Sequence, residues 1–293
     1  MRITVSDDFD LYKIAYSGQC FRVRVMEDSE SREATYRFIT RDNVVDIFAV
    51  SKLSSESSDS PQTVLEISCD EEQWNRIWVP YFDLHTDYRK IRQSIPSSDK
   101  YLTRSADIGR GIRILNQDRF ETLISFIISQ RKSIPAIKSS VEKLSKLYGH
   151  KICAPTGEGI YTFPTPKELS CATESELTSC GLGYRVPYIL ETVEKVLNSV
   201  DSFSLDEISK LTDDALLNAL KSLKGVGNKV ANCVSLFAYH RLGLAPVDTW
   251  ISKVIDEQYN GINPFINYPE YGGVMQQYIF YYAQHASRKQ VNL

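Results

Sequence analysis

Lys229 stands between a glycine turn and an apolar run, in the stretch LKGVGNKVANC. A neutral lysine amine attacks carbon and forms Schiff bases. The first turn of a helix disfavours positive charge, and burial does the same, so this place favours a nucleophilic amine. Cys233 follows four residues later and shares the same helix face. Asp248, in LAPVDTWISKV, precedes an apolar-periodic segment and reads as the N-cap of a helix. A capping carboxylate is held rigidly and stays ionised, so it can act as a base or stabilise a cation. By spacing alone, three roles stay open for Lys229: surface charge, phosphate contact or nucleophile.

The lysine is positioned by a predicted hairpin spanning about 212–240. Thr212 and the acids after it predict the start of one helix. Val230, Cys233, Val234, Phe237 and Ala238 form the core-facing stripe of the next. Between them Gly225, Val226 and Gly227 form the turn. Its glycines permit positive φ and close backbone approach, and the second helix offers free N–H groups to a phosphate.

Upstream, DRFETLISFIISQ predicts a buried helix. IPAIKSSVEKLSKLYG, TPKELSCA, TESELTSCG and YRVPYILETVEKVLNSV predict further helices. The first hundred residues read instead as strands: CFRVRVM, TYRFIT, VVDIFAV and TVLEIS. EDSESRE, RDN and SKLSSESSDSPQ separate them, the last as a flexible loop. The expectation is an α+β chain: an antiparallel β domain with one wet face over 1–98, then a larger all-α domain over 99–293.

Net charge of −3 would argue against a nucleic-acid partner, but its distribution does not. Residues 1–98 carry 12 Lys/Arg against 17 Asp/Glu, whereas 104–151 carry 10 against 4 and 219–253 carry 5 against 1. An anion would therefore dock on the later segments. The acidic N-terminus lacks an apolar core, so no signal peptide is expected, and no run suits a membrane span. The six cysteines form no CxxC pair, which fits reduced thiols in a cytosolic protein better than a disulfide or metal framework.

GVGNKVANC followed by PVDTW resembles the helix-hairpin-helix, Gly/Pro-rich loop and aspartate of the HhH-GPD DNA glycosylase superfamily. Within it the chain most resembles the bifunctional 8-oxoguanine DNA glycosylases, from about Gly18 to Phe280, with SGQCFRV, GLGYRVPY and GGVMQQYIF as further matching segments. The resemblance implies a TBP-like N-terminal sheet domain and a helical catalytic domain. It implies that Lys229 attacks the sugar C1′, that a Schiff base and β-elimination follow, and that Asp248 assists. A flipped base would meet the Gly18 carbonyl, Cys233, Gln276 and Phe280. Gly225, Val226 and Gly227 would hold the DNA backbone, with Tyr184 as a wedge and Arg185 toward the opposite base. It implies no cofactor or metal, a double-stranded DNA partner containing oxidised guanine, a monomer, and a cytoplasmic, bacterial-type enzyme held to the nucleoid through DNA.

The departures from the family pattern carry expectations of their own. Arg131, in SQRKSIPAI, stands near an asparagine position that fills the vacated space. Ala136 replaces an arginine that reads the opposite cytosine, which implies relaxed opposite-base selectivity. Trp250 stands where some relatives place a phosphate-contacting histidine. No four-cysteine cluster follows the hairpin, excluding the iron–sulfur branch. The competing readings are a glycosylase for alkylated purines, which typically lacks the lysine, and a non-catalytic DNA-binding protein, in which Lys229, Asp248 and the Gln276/Phe280 pair would have no purpose.

Overall fold

A computed structural model describes residues 1–26, 34–53, 62–199 and 203–291. The EDSESRE separator and residues 54–61 of the expected flexible loop lie outside the described residues. Strands β1 (Arg2–Val5), β2 (Arg24–Val25), β3 (Thr35–Thr40), β4 (Asn43–Leu53) and β5 (Gln62–Ile67) form one antiparallel sheet in the order β1-β5-β4-β3-β2. Alternation builds its core face. Tyr36, Phe38, Val45, Ile47 and Leu65 are all buried, and Trp74, Trp78, Tyr81 and Phe82 pack in the same cluster.

The other face is only partly wet. Arg37 and Ile39 on β3 are also buried, because a hairpin from the helical part covers them. Its strands are β6 (Lys151–Cys153) and β7 (Gly159–Tyr161), and Ile39 clusters with Ala154 and Ile160. Arg37 pairs with Asp46 at 2.7 Å and with Glu158 at 2.7 Å. A fully buried guanidinium needs such partners. CFRVRVM forms a strand only at Arg24–Val25, because Phe21 packs edge-on against Phe126 of the helical core, at 5.4 Å.

The strand-only reading of the first hundred residues also missed helices. Present there are α1 (Leu11–Tyr16), α2 (Glu71–Gln73), α3 (Val79–Tyr81), α4 (Tyr88–Gln93) and the start of α5 (Lys100–Ile108). A π-helical turn over Trp74–Trp78 joins α2 to α3, a period that neither the strand nor the helix template detects. Arg113 ties this region together. Its buried guanidinium meets Asp7 at 2.8 Å, the Phe82 and Asp8 carbonyls, and the Tyr88 ring at 4.2 Å.

The helical part adds α6 (Arg119–Ser129), α7 (Ile134–Tyr148), α8 (Pro166–Leu169), α9 (Glu174–Ser179), α10 (Val186–Leu197), α11 (Asp213–Lys221), α12 (Asn228–Ala238), α13 (Thr249–Tyr259) and α14 (Gly272–Val291). α11 and α12 form the expected hairpin. Helix α12 packs on α6 within one large apolar cluster that also takes in Phe21 and α14. Among the described residues no helix is long and apolar enough to cross a membrane.

Candidate active site

Lys229 lies in the first turn of α12, half-buried, and its ammonium sits 5.0 Å from the centroid of the Phe126 ring. Cys233, one turn on, is buried against it. Burial pushes the Cys233 thiol up. The neighbouring Lys229 charge and its hydrogen bond to the sulfur pull the other way, and Asp248 pushes up again. Asp248 caps α13 as its sequence predicts, accepting the Ile251 N–H at 2.9 Å. That hydrogen bond fixes the carboxylate at the edge of the same cleft.

The cleft has a volume of about 1160 Å³. Gly18, Arg131, Lys229, Asp248 and Phe280 all lie on its wall, brought from five separate stretches of the chain. Gly18 has φ +78, and a Cβ there would stand 3.1 Å from Phe280 Cε1. Gln276 is one turn from Phe280 but buried, its side-chain oxygen accepting from Gln277 Nε2 at 2.9 Å, and it is not on the cleft wall.

The two glycines of the turn differ. Gly225 has φ +78 and its missing Cβ would fall 2.3 Å from Tyr188 Cδ2. Gly227 is extended, with φ −91 and ψ −176, and caps α12 with open space where a Cβ would be. Positive φ is thus needed at only one of the two. Val226 between them is buried in the helical core.

Tyr184 is half-exposed, whereas the neighbouring Arg185 is buried and faces inward. Its guanidinium donates to the Gln130 and Leu182 carbonyls and lies 4.3 Å from the Tyr184 ring centre. Lys132 reaches back from the other loop, donating to the Gly181 carbonyl at 2.6 Å and to Ser140 Oγ at 2.6 Å. Between these anchors Arg131 is exposed and left-handed, with φ 51. The two loops are therefore stapled into one rim, and Arg131 is the arginine of the pair that stands in the open.

Phe126, Lys132 and Val247 also line the cleft, and no motif in the sequence marks them. Phe126 sits in an apolar helix and looks like any core aromatic. Lys132 belongs to the same basic pair as Arg131, the one signal that pointed near it. Trp250, noted only as a departure, also lines the cleft and is exposed. Among the described residues no group of three or more His, Cys, Asp or Glu is placed to hold a metal ion.

Known proteins share this architecture. Residues 2–123 match the model of the 8-oxoguanine DNA glycosylase N-terminal domain, and residues 124–264 match that of HhH-GPD superfamily base excision DNA repair proteins. An N-glycosylase/DNA lyase of Saccharomyces cerevisiae is 36% identical over 192 residues, which is 62% of this chain and 50% of that protein. The match therefore spans only half of the yeast relative. A probable N-glycosylase/DNA lyase of Methanothermobacter thermautotrophicus is 31% identical over 71% of this chain and 73% of its own length. The solved structure of a Clostridium acetobutylicum 8-oxoguanine glycosylase/lyase, in complex with double-stranded DNA containing cytosine opposite 8-oxoG, is 32% identical. It superimposes with a TM-score of 0.83 over 98% of each chain.

Proposed function

The chain belongs to the HhH-GPD superfamily of base excision DNA repair proteins, in its 8-oxoguanine DNA glycosylase branch, and on that footing we propose that it is a bifunctional glycosylase and AP lyase acting on 8-oxoguanine in duplex DNA. The observation that carries this reading is the joint placement of Lys229, Asp248, Gly18 and Phe280 on one cleft wall. A binding module has no need of an amine and a carboxylate facing the same space.

In this reading the damaged nucleotide leaves the stack and enters the cleft. The Lys229 amine forms a bond to C1′ as the bond from C1′ to the base breaks, and the base leaves with the bonding pair and takes up a proton. Positive charge builds on the sugar during this step, and the Asp248 carboxylate stabilises it from its fixed cap position. Ring opening gives the protonated Schiff base. Loss of a C2′ proton then expels the 3′ phosphate and cuts the strand.

Gly18 leaves room for its carbonyl to approach the base, against the ring of Phe280. Cys233 lies beneath, and Gln276 would read the base edge once it turns from Gln277. The open Gly227 edge of the hairpin suits a phosphate, Tyr184 stands exposed as the wedge, and Arg131 faces the vacated space. Arg185 serves this rim through the Gln130 carbonyl.

Borohydride trapping tests the reading, with wild type and Lys229→Gln on a duplex bearing 8-oxoguanine opposite cytosine. A covalent adduct in wild type alone is expected. No adduct, with the lesion strand intact after alkali, would redirect the assignment to alkylated bases or to binding without catalysis.

A further inference from the structure

Lys229 lies in the cleft without a carboxylate at ion-pair distance among the described residues, and its ammonium faces an aromatic ring instead. That ring, Phe126, is 3% exposed and lines the cleft from α6. It is fixed from two sides. Phe237, two turns beyond Lys229 on α12, stacks on it at 5.5 Å and 17°. Phe21, three residues after Gly18, meets it edge-on at 5.4 Å and 65°. One immobile ring thus touches the helix that carries the amine and the arm that carries the Gly18 carbonyl.

An aromatic face attracts a cation within about 6 Å of its centre, more strongly where water is scarce. We propose that Phe126 is a positioning residue for the reaction, its ring face seating the Lys229 ammonium beside Cys233 and facing the place where C1′ arrives. The proposal rests on the reading of Lys229 as the nucleophile. A long lysine side chain has many rotamers, and ordering it costs rotamer freedom. The ring offsets part of that cost before substrate binds, so that the side chain is already in place when the base enters and has only to lose a proton to solvent to become the attacking amine.

The chemistry of the ring separates this role from packing. Replacing Phe126 by progressively fluorinated phenylalanines drains the electron density of its face and hardly changes its shape. The measurement is the single-turnover rate of borohydride-trappable adduct formation on a saturating abasic-site duplex, with duplex affinity and melting temperature followed alongside.

The expected result is a rate that falls stepwise with fluorination, by about fivefold or more at the end of the series, with affinity and melting unchanged. Rates that stay level or rise overturn the proposal, and so does a loss that only tracks melting or affinity. Wild type and Lys229→Gln on the same duplex provide the control. A wild type that forms no adduct, or a Lys229→Gln protein that forms it equally, removes the nucleophile reading and this inference with it. A normal wild type with a level series removes this inference alone.

Discussion

Gly18 and Phe280 are in contact on the cleft wall, with only 3.1 Å between Phe280 Cε1 and the place where a Gly18 side chain would begin. The pair joins the N-terminal arm to α14 and brings together residues more than two hundred and fifty positions apart. Each half of the contact is specified separately, the glycine by its φ of +78 and the ring by its helix.

Gly18→Ala meets both constraints. The left-handed backbone costs a non-glycine residue about 1–2 kcal/mol. The half-buried Phe280 can swing into the cleft to relieve the steric part. Urea unfolding should therefore show a loss of about that size. Excision of 8-oxoguanine should fall far more than cleavage of a preformed abasic site, because only excision uses the base pocket. Equal losses in both assays would reject the pocket assignment.

Asp248 combines a cap with a proposed catalytic charge, and two substitutions separate them. Asparagine caps as well as aspartate, so Asp248→Asn should keep stability within about 0.5 kcal/mol. Its excision rate should drop by about a hundredfold or more. Asp248→Ala should lose activity similarly and about 1 kcal/mol of stability in addition. Chemical denaturation and single-turnover excision read the two effects apart.

The two hairpin glycines should respond in opposite ways. Gly225→Ala drives a methyl into the Tyr188 ring and strains the backbone, for a loss of about 1–3 kcal/mol. Gly227→Ala finds open space at an ordinary φ and should cost only about 0.5–1 kcal/mol, roughly the N-cap preference for glycine over alanine. It should still weaken duplex binding, since the new methyl points where a DNA backbone would approach. Melting curves and a fluorescence-anisotropy titration test the pair.

Glu121 on α6 adds a pH dependence outside the cleft. Burial pushes its carboxyl up to about 7, with Arg22 opposing and Asp118 and Glu142 adding to the rise. The unfolded carboxyl titrates near 4.5. The folded state therefore holds the proton more tightly, and its advantage is complete below pH 4.5 and is lost as pH rises towards 7. Part of the side chain still meets solvent, which limits the effect to roughly 1–2 kcal/mol. Glu121→Gln should accordingly stabilise at pH 8 and do nothing at pH 4. Urea midpoints at the two pH values decide it.

Opposite-base selectivity should be weak. Ala136 offers no hydrogen-bond donor, and Arg185 is committed to backbone carbonyls. Excision opposite cytosine and opposite the other bases should agree within about tenfold, or 1.4 kcal/mol. A larger preference for cytosine would point to the exposed Arg131 as a reader of that base, and Arg131→Ala would then abolish it.

Much of this was legible along the chain. The α11–α12 hairpin, the α13 cap at Asp248 and strands β3 to β5 follow from local rules, because each element displays its own period and end signals. Helices α1 to α4 did not show, being short or joined through a π turn, and neither did the β6–β7 hairpin that covers Arg37. Their stability comes from packing against distant partners, which no local window contains.

By itself the sequence determined the chemical inventory: an amine behind a glycine turn, a capping carboxylate, a glycine and a phenylalanine far apart. Only the tertiary structure decided which of these face a common space. It turned Arg185 inward onto Gln130, left Arg131 in the open, and set the Phe126 ring against Lys229. The physical reason is that side-chain type and local backbone preference are properties of neighbours in sequence. Burial, electrostatic environment and the direction of a guanidinium are set by whatever the fold packs beside them.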